Sequence, residues 1–261
     1  MEFRDQVIVL RLGSFKEADL WVRLLSPSRG VFSAFAFGGS KSRRRFSGCL
    51  DLFNEVLFQV KSQGEYLALQ EGMLLKGPDR LRRDWRRLGV AVNCALFLES
   101  FCRGPDRAER VHHLFISLLN NLEASPHCPA LLPMFFRIRL AFEQGYALDP
   151  HLCSDCGNPL IRQAGDQALL PLGENGLICR SCANGASGKN GANGSNGAGR
   201  RFALSAGSLG ALRHILEEPL DSWQNMPADE HSQRECVRAV DAFLQHHTGL
   251  NWLNGGFRRK A

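Results

Sequence analysis

The sequence contains no long apolar segment. None of its apolar runs approaches the roughly 20 residues that a helix needs to cross a bilayer. The start of the chain, MEFRDQVIVLRLG, is acidic at Glu2 and Asp5 and has only a four-residue apolar run before Arg11, unlike a secretory signal peptide. We therefore expect a cytoplasmic protein with no membrane partner, whose cysteines stay reduced unless they bind a metal.

Recognisable catalytic motifs are also missing. The chain has neither a Gly-x-Ser-x-Gly elbow nor a His-Glu-x-x-His motif, and its carboxylates are scattered. The segment GGSKS is not a phosphate-binding loop, because Ser40 stands where that motif requires a glycine before Lys41. The adjacent residues His112 and His113 would point to different sides of a helix, and we predict that both lie at the surface. The sequence thus favours a protein that is not an enzyme.

Nine cysteines are present, and four of them form two Cys-x-x-Cys pairs, Cys153/Cys156 and Cys179/Cys182. Each pair lies in a segment that can form a tight knuckle, and four thiolates so placed can surround one zinc ion tetrahedrally. Two disulfides, a thioredoxin-like redox motif and chance clustering are the alternatives. A redox Cys-x-x-Cys normally occurs once, whereas this one occurs twice with ribbon spacing. We predict a zinc ribbon with one structural Zn²⁺, because a closed four-cysteine site leaves no coordination position for catalysis.

The first 80 residues contain five segments rich in β-branched and aromatic residues, separated by turn sequences. These segments are residues 6–12, 19–26, 30–37, 49–61 and 66–75. Five short strands with few helical residues between them predict a small closed or nearly closed barrel. An OB-fold is the simplest interpretation, and an SH3-like barrel is the alternative, because the number of strands alone does not separate the two.

Positive charge is concentrated between the third and fourth predicted strands, in the segment GGSKSRRRF at residues 38–46, called the cationic loop below. The whole chain is only mildly basic, with 32 Lys and Arg against 26 Asp and Glu. We predict that Lys41, Arg43, Arg44 and Arg45 bind the phosphates of DNA, and that Phe46 packs in the barrel core. A solvated loop is the alternative.

From residue 79 onward, apolar residues recur every three or four positions, which predicts helices. In the first helix the predicted apolar face consists of Leu81, Trp85, Leu88, Val92 and Leu96. Four arginines, Arg82, Arg83, Arg86 and Arg87, would lie opposite this face. They form either a second candidate DNA-binding surface or an ordinary solvated face.

Further helical patterns occupy residues 108–121, 129–145, 204–220 and 232–249. The last is predicted to begin with a capping box of Ser232 and Glu235 and to end at Gly249. The sequence therefore predicts an α+β multidomain protein, with an OB-fold barrel over 1–80 and a helical C-terminal domain over 81–150 and 201–253. A zinc ribbon at 151–183 and a flexible Gly/Asn/Ser loop at 184–200 interrupt the helical domain, and a basic tail follows at 254–261.

In this order, the segments resemble the RecO family of bacterial recombination mediators. Residues matching the family's N-terminal barrel are Leu10, Phe15, Glu17, Asp19, Gly30, Gly38, Lys41 and Ser42. The resemblance continues through the arginine-bearing helix, the junction GYALDPHLCSDCG and the second knuckle GLICRSC. It covers about residues 3–253 and departs at the Gly/Asn/Ser tract, which is longer and simpler than family members usually carry.

The resemblance implies an N-terminal OB-fold, a helical domain and an inserted zinc ribbon with four cysteine ligands. It also implies binding of single- and double-stranded DNA and annealing of complementary strands in the bacterial nucleoid. The implied partners are RecR, the single-stranded-DNA-binding protein (SSB) and, indirectly, the RecA recombinase that is loaded on SSB-coated DNA during recombinational repair. From the residues alone, two alternatives stay open: an RNA-binding or transcription-associated protein with a zinc ribbon and an OB-fold, and an enzyme using the cysteine pairs for redox chemistry or the zinc for hydrolysis.

Overall fold

A computed structural model describes residues 2–102, 104–128, 131–146, 148–161, 166–173, 176–189, 200–226, 228–253 and 256–259. The chain divides into two compact units, Met1–Pro133 and Met134–Ala261, and each unit buries its own set of apolar side chains. The finer division into domains that the sequence suggests stays a prediction.

Five strands of the first unit form a closed barrel. They are β1 (Glu2–Ser14), β2 (Leu20–Ser26), β3 (Gly30–Ala36), β4 (Glu55–Gln63) and β5 (Tyr66–Lys76). Their order around the barrel is β1-β2-β3-β5-β4, and β4 closes it by pairing with β1. The pairs are antiparallel except for β3 and β5, which are parallel. This arrangement confirms the OB-fold interpretation and sets aside the SH3-like barrel.

Alternate residues of these strands fill the barrel. Val7 and Val9 of β1, Ala34 and Ala36 of β3 and their neighbours form one buried cluster, as a period of two requires. Phe46 belongs to the same cluster, with its ring centroid 6.2 Å from that of Phe58. The prediction that Phe46 is a core residue is therefore confirmed.

The fourth strand begins later than the sequence predicted, because residues 49–54 form a turn. The buried side chain of Asn54 donates to the carbonyl oxygens of Gly48, at 2.7 Å, and Cys49, at 3.3 Å, which folds the segment back on itself. Phe53 takes a left-handed backbone conformation, with φ at 61°. The sequence signal failed because Leu50, Leu52 and Phe53 continue the apolar composition of a strand, whereas the turn depends on the hydrogen bonds of Asn54.

The first unit also contains three helices, α1 (Arg80–Arg83), α2 (Trp85–Phe101) and α3 (Ala108–Ala124). The single helix predicted from residue 79 is interrupted at Asp84, whose carboxylate accepts from the Arg86 backbone N–H at 2.9 Å and caps α2. The interruption changes the buried face, which contains Arg87, Ala91, Cys94, Ala95, Phe97 and Leu98. Trp85, predicted as apolar core, is 77% exposed.

His112 is a second correction, because it is only 3% exposed although we predicted a surface position. It lies on α3, and neither ring nitrogen has a hydrogen-bond partner among the described residues. Burial, together with the neighbouring His113, lowers the pKa of His112 below its ordinary value, and Glu55 and Asp5 oppose the shift. The neighbour His113 is exposed, as predicted.

The second unit combines small sheets with helices. Its elements after α4 (Leu132–Glu143) are β6 (Gln167–Pro171), β7 (Ile178–Cys179), α5 (Arg180–Lys189), β8 (Arg201–Ser205), α6 (Ala206–Glu217), α7 (Glu230–Thr248), β9 (Leu250–Leu253) and β10 (Gly256–Arg259). Strands β7, β6 and β8 form one antiparallel sheet, and β9 and β10 form a hairpin. No helix in the described ranges is long and apolar enough to span a membrane.

Two segments to which the sequence analysis assigned no helix or strand contain regular structure. Helix α5 continues to Lys189, into the stretch 184–200 that the sequence predicted as a flexible loop, and residues 190–199 lie outside the described residues. Strand β10 occupies much of the predicted basic tail, because it pairs with β9 from Gly256↔Leu253 to Arg259↔Leu250. Composition alone missed both elements, since it measures the lack of apolar residues and not local hydrogen bonding.

The predicted capping box on α7 is wrong. The N-cap is Asp229, whose carboxylate accepts from the Ser232 backbone N–H at 2.8 Å, and Ser232 is buried inside the helix. Glu235 instead reaches the start of α6, where it accepts from the Ser205 backbone N–H at 3.0 Å and from the Ser208 hydroxyl. The C-terminal prediction is confirmed, because Gly249 closes α7 in the left-handed conformation.

Candidate metal centre and nucleic-acid interface

The first cysteine knuckle is a tight turn stabilised by backbone hydrogen bonds. The Cys153 N–H donates to the Asn158 carbonyl oxygen at 2.8 Å, and the Gly157 N–H donates back to the Cys153 carbonyl oxygen at 2.9 Å. Gly157 has φ at 69°, a conformation that favours glycine. This turn directs Cys153 and Cys156 toward the same point.

The second knuckle joins a strand to a helix. Cys179 ends β7, which pairs with β6, and Cys182 lies in the first turn of α5. Two hydrogen bonds connect the knuckles: Ser154 N–H to the Leu177 carbonyl oxygen at 2.9 Å, and Cys179 N–H to the Cys153 sulfur at 3.2 Å. The fold therefore brings all four predicted ligands together.

The four sulfur atoms have the spacing of a tetrahedral metal site. They lie within 4.8 Å of one another, and the Sγ atoms of Cys156 and Cys179 are 3.9 Å apart. Zinc–sulfur bonds of about 2.3 Å in a tetrahedron place sulfur atoms about 3.8 Å apart. A disulfide would require about 2.05 Å, and none of these four cysteines forms a disulfide. The donor set and its spacing therefore fit one thiophilic metal ion better than two disulfides.

Hydrogen bonds within the cluster favour a thiolate at Cys156. The Asn158 backbone N–H and then its side-chain amide lower the pKa of Cys156 to about 6. Cys182 shifts the other way, because its thiol hydrogen-bonds to the sulfurs of Cys156 and Cys179, which raises its pKa. A bound cation would displace the remaining thiol protons, so metal affinity at this site should depend on pH.

The cationic loop leaves the barrel at the end of β3. Gly38 has φ at 66°, and a short 3₁₀ turn follows over Gly39–Lys41. The segment between β1 and β2 holds this turn: the Asp19 carboxylate accepts from the Gly38 N–H at 2.8 Å, and the Ala18 carbonyl oxygen accepts from the Ser40 N–H at 3.1 Å. The loop is therefore attached to the barrel at its start.

The four predicted phosphate ligands in this loop fall into two groups. Arg45 is an anchor: its Nη2 donates to the Phe37 carbonyl oxygen at 2.6 Å, and its own carbonyl oxygen accepts from the Gly72 N–H at 2.8 Å. Lys41, Arg43 and Arg44 are exposed, and their side chains make no hydrogen bond or ion pair within the described part of the chain. These three cations are available to an anionic ligand.

The second arginine group is mostly engaged inside the protein. Arg87 is 2% exposed and donates to the carbonyl oxygens of Leu122 and, at 3.1 Å, Pro126, beyond the end of α3. Arg82 donates to the carbonyl oxygen of Leu52 and the side chain of Asn54. The structure therefore corrects the prediction for Arg87, which is not accessible to DNA, and gives Arg82 a structural contact.

The other two arginines of this group remain at the surface. Arg83 forms an ion pair of 2.9 Å with Asp79, which neutralises much of its charge. The guanidinium of Arg86 lies 5.3 Å from the ring centroid of the exposed Trp85. Only part of the predicted surface is thus available, and it is less basic than the sequence indicated.

Sequence reasoning missed a group of aromatic side chains beside the cationic loop. Phe15, Phe35, Phe37 and Tyr66 contact one another on the outside of the barrel. The available signal was the alternation in AFAF, because Ala34 and Ala36 are the residues that face the core. Because both sets of residues are apolar, composition alone does not show that the aromatic side chains, and not the alanines, face outward.

Comparison with known families agrees with this architecture over nearly the whole chain. The model for the N terminal region of Recombination protein O matches residues 1–77, which contain the barrel and the cationic loop. The model for the C terminal region matches residues 82–255, which contain the metal centre. The chain belongs to the RecO family.

Individual RecO proteins align along their full length. The DNA repair protein RecO of Nitratidesulfovibrio vulgaris strain DP4 is 48% identical over 99% of this chain and 100% of its own. The corresponding protein of Oleidesulfovibrio alaskensis is 47% identical over the same shares, and that of Lawsonia intracellularis is 35% identical over 98% of this chain and 99% of its own. RecO membership makes DNA repair the biological context of the barrel, the cationic loop and the four-cysteine cluster.

Proposed function

We propose that this RecO-family chain binds single- and double-stranded DNA, anneals complementary strands, and acts with RecR and SSB to load RecA on SSB-coated DNA. The observation that carries the proposal is the attached loop on an OB-fold barrel that presents Lys41, Arg43 and Arg44 without partners among the described residues. Such cations supply sequence-independent affinity by releasing counterions from the DNA backbone. The partners are inferred from the family resemblance.

Charge neutralisation alone would account for annealing. Two single strands repel each other, and cations held between them lower that repulsion and raise the local concentration of the complementary strand. A protein acting in this way is stoichiometric with DNA and sensitive to salt. We therefore expect annealing that rises until the strands are saturated, falls with added salt, and proceeds without ATP or magnesium.

The test is annealing of complementary strands that are already coated with SSB. Arg43→Ala/Arg44→Ala should slow annealing, whereas the matched control Arg4→Ala/Lys76→Ala, with the same loss of charge on β1 and β5, should change it little. Equal effects of the two double variants would contradict a role for this loop. Strict ATP dependence, or full activity at trace protein relative to DNA, would instead indicate an active site and overturn the proposal.

Competition between nucleic acids tests the alternative from the RNA-binding class. The proposal predicts that single-stranded DNA displaces a labelled DNA at least as well as RNA of the same sequence. Stronger displacement by RNA would favour the transcription-associated alternative. The same measurement with RecR and SSB present shows whether these proteins change the affinity for DNA, as the resemblance implies.

We further propose that the four-cysteine cluster holds one structural Zn²⁺. The supporting observations are the four convergent sulfurs and the hydrogen bonds that favour a thiolate at Cys156. Elemental analysis should find one zinc per chain in protein purified without chelators, and Cys153→Ser should lose it and destabilise the second unit. Protein without zinc, or with freely titratable cysteines, would favour the redox alternative.

Gly176→Ala provides a variant that keeps all four ligands. A Cβ at Gly176 would lie 2.6 Å from the Cβ of Ser154, between the two knuckles, so the knuckles must move apart. We expect weaker zinc retention against a chelator than in wild type, but stronger retention than in Cys153→Ser. Unchanged retention would mean that the knuckles are not held at the spacing described here.

A further inference from the structure

Four aromatic rings form a continuous group on the outer surface of the barrel. The ring centroids of Phe15 and Phe35 are 5.0 Å apart, and those of Phe35 and Phe37 are 6.1 Å apart at an interplanar angle of 19°. Tyr66 meets Phe35 and Phe37 edge-on, at 5.8 and 5.9 Å. Phe15 is 51% exposed and Tyr66 is 41% exposed, so the group presents ring surface to solvent.

The position of these rings on the barrel is informative. Phe35 lies on β3, Phe15 lies in the connection between β1 and β2, and Tyr66 begins β5 directly after the β4–β5 turn. In OB-folds, the face of strands 2 and 3 together with these two connections is the surface that binds oligonucleotides and oligosaccharides. The rings therefore occupy the ligand surface of the fold, which favours stacking on planar groups.

The four aromatic rings are not part of the barrel core. The core at this end of β3 is filled by Ala34 and Ala36, and Phe35 projects from the opposite face of the strand. Elsewhere on the same outer surface, Glu99 of α2 forms ion pairs with Arg11 of β1 at 3.5 Å and Arg23 of β2 at 3.7 Å. Helix α2 thus covers part of this surface and leaves the aromatic end open.

The aromatic group is continuous with the cationic loop. Phe37 directly precedes Gly38, and the Arg45 guanidinium that anchors the loop donates to the Phe37 carbonyl oxygen at 2.6 Å. A strand whose phosphates contact Arg43 and Arg44 would therefore have its bases within reach of the rings. Phosphate contacts and stacking surfaces together are the two components of single-strand binding sites.

We propose that Phe15, Phe35, Phe37 and Tyr66 form a stacking platform for unpaired nucleobases, which makes this site prefer single-stranded over duplex DNA. The inference rests on the proposed DNA-binding function and assigns its strand preference to particular residues. Bases in a duplex are stacked and cannot offer their faces, so a duplex gains only from the cations. A single strand gains from both cations and rings.

The test compares three DNA ligands of equal length: a single strand, a single strand with abasic sites, and a duplex. Phe15→Leu/Tyr66→Leu keeps apolar side chains at two exposed positions but removes their ring faces. At roughly 1–3 kcal/mol per stacked base, loss of one or two stacks should weaken binding of the base-containing strand by about 10- to 100-fold. Affinity for the abasic strand and for the duplex should stay within about twofold of wild type, and the salt dependence should not change.

The matched control is Met73→Ala/Leu75→Ala, which removes exposed apolar side chains from β5 outside the platform and should leave all three affinities unchanged. A fluorescent base analogue in the single strand adds a direct reading, because stacking on a ring should quench it in wild type and less in the double Leu variant. Equal losses for all three ligands, or no loss for the base-containing strand, would overturn the platform alone. Wild-type protein that binds none of the ligands would overturn the proposed function as well.

Discussion

Two arginine-rich segments of the first unit have similar composition and opposite roles. The cationic loop presents Lys41, Arg43 and Arg44 to solvent, whereas the segment around α1 directs Arg82 and Arg87 into the protein. The difference depends on whether backbone carbonyl oxygens that lack a hydrogen-bond donor lie near the arginines. The carbonyl oxygens of Leu122, in the last turn of α3, and of Pro126, just after the helix, have no donor within the helix. The N–H groups of the Arg87 guanidinium donate to both of them.

This contrast shows that local charge density is an ambiguous signal for nucleic-acid binding. Arginine is the side chain best suited both to phosphates and to helix C-termini, because it donates several hydrogen bonds in a fixed plane. Free carbonyl oxygens nearby in space decide between the two uses. These oxygens cannot be identified from the local sequence, because Leu122 and Pro126 lie far along the chain from Arg87.

The largest expected effect is on stability, from Arg87→Ala. The substitution leaves two carbonyl oxygens and the Asp84 carboxylate without their buried donor, which should lower the free energy of unfolding by about 2–4 kcal/mol. Denaturant unfolding measures it, with Arg86→Ala as the control for losing one charge from the same helix. A difference of less than about 0.5 kcal/mol between the two variants would show that Arg87 is an ordinary surface arginine.

The reverse pattern is expected for the cationic loop. Lys41→Ala/Arg43→Ala/Arg44→Ala should leave the free energy of unfolding nearly unchanged and reduce the log-log salt dependence of single-strand binding by about 0.7 for each lost phosphate contact. If all three cations contact phosphates, affinity at about 0.1 M salt should fall by roughly 100-fold. An unchanged salt dependence with an intact fold would move the phosphate contacts elsewhere, most directly to Arg83 and Arg86.

Strand composition predicted the barrel well, whereas apolar periodicity predicted the first helix poorly, and both outcomes have physical reasons. The strands of the barrel are rich in β-branched and aromatic residues and are separated by turn residues, so segments such as QVIVLRL and VFSAFAF can be recognised whatever their register. The helix pattern depends on where the helix starts, and capping by Asp84 restarts it and turns Trp85 outward. A capping aspartate in mid-pattern changes the register without changing composition.

The two candidate sites also differ in how well the sequence predicted them. The cysteine spacing sufficed to predict that the four sulfurs converge, because a Cys-x-x-Cys turn can direct both of its sulfurs to one point by local geometry alone. The aromatic platform was not predicted, because it assembles Phe15, Phe35 and Tyr66 from three separate parts of the barrel. Only the closed strand order brings these residues together.

Arg45 allows the two roles of arginine to be compared within one loop. Arg45→Ala and Arg44→Ala remove the same charge, but of these two arginines only Arg45 donates to backbone carbonyl oxygens among the described residues, those of Phe37 at 2.6 Å and Gln70 at 3.5 Å. We expect Arg45→Ala to cost about 1 kcal/mol of stability and Arg44→Ala almost none. Single-strand affinity should fall more steeply with salt in wild type than in Arg44→Ala, and Arg45→Ala should resemble wild type in this slope. If Arg45→Ala reduced the slope as much as Arg44→Ala, Arg45 would be a phosphate ligand, as the sequence predicted.

The smallest expected effect concerns the buried His112, which contrasts with the buried Arg87. Arg87 is charged and has three partners, whereas His112 has no hydrogen-bond partner within the described residues, and its burial favours the neutral form in the folded protein. Burial and His113 lower the pKa of His112 in the folded state, against the opposing effects of Glu55 and Asp5, below the ordinary value of 6.5. The unfolded chain therefore binds this proton more readily than the folded one. The contribution of His112 to stability is fully present above about pH 6.5 and is lost as the pH falls below it, at no more than about 1.4 kcal/mol per pH unit.

Unfolding measured between about pH 8 and about pH 5 should show this loss in wild type, and His112→Leu should reduce it, with His113→Leu as the exposed control. If His113→Leu reduced the loss as much as His112→Leu, solvent-exposed charge and not the unpartnered ring would be responsible.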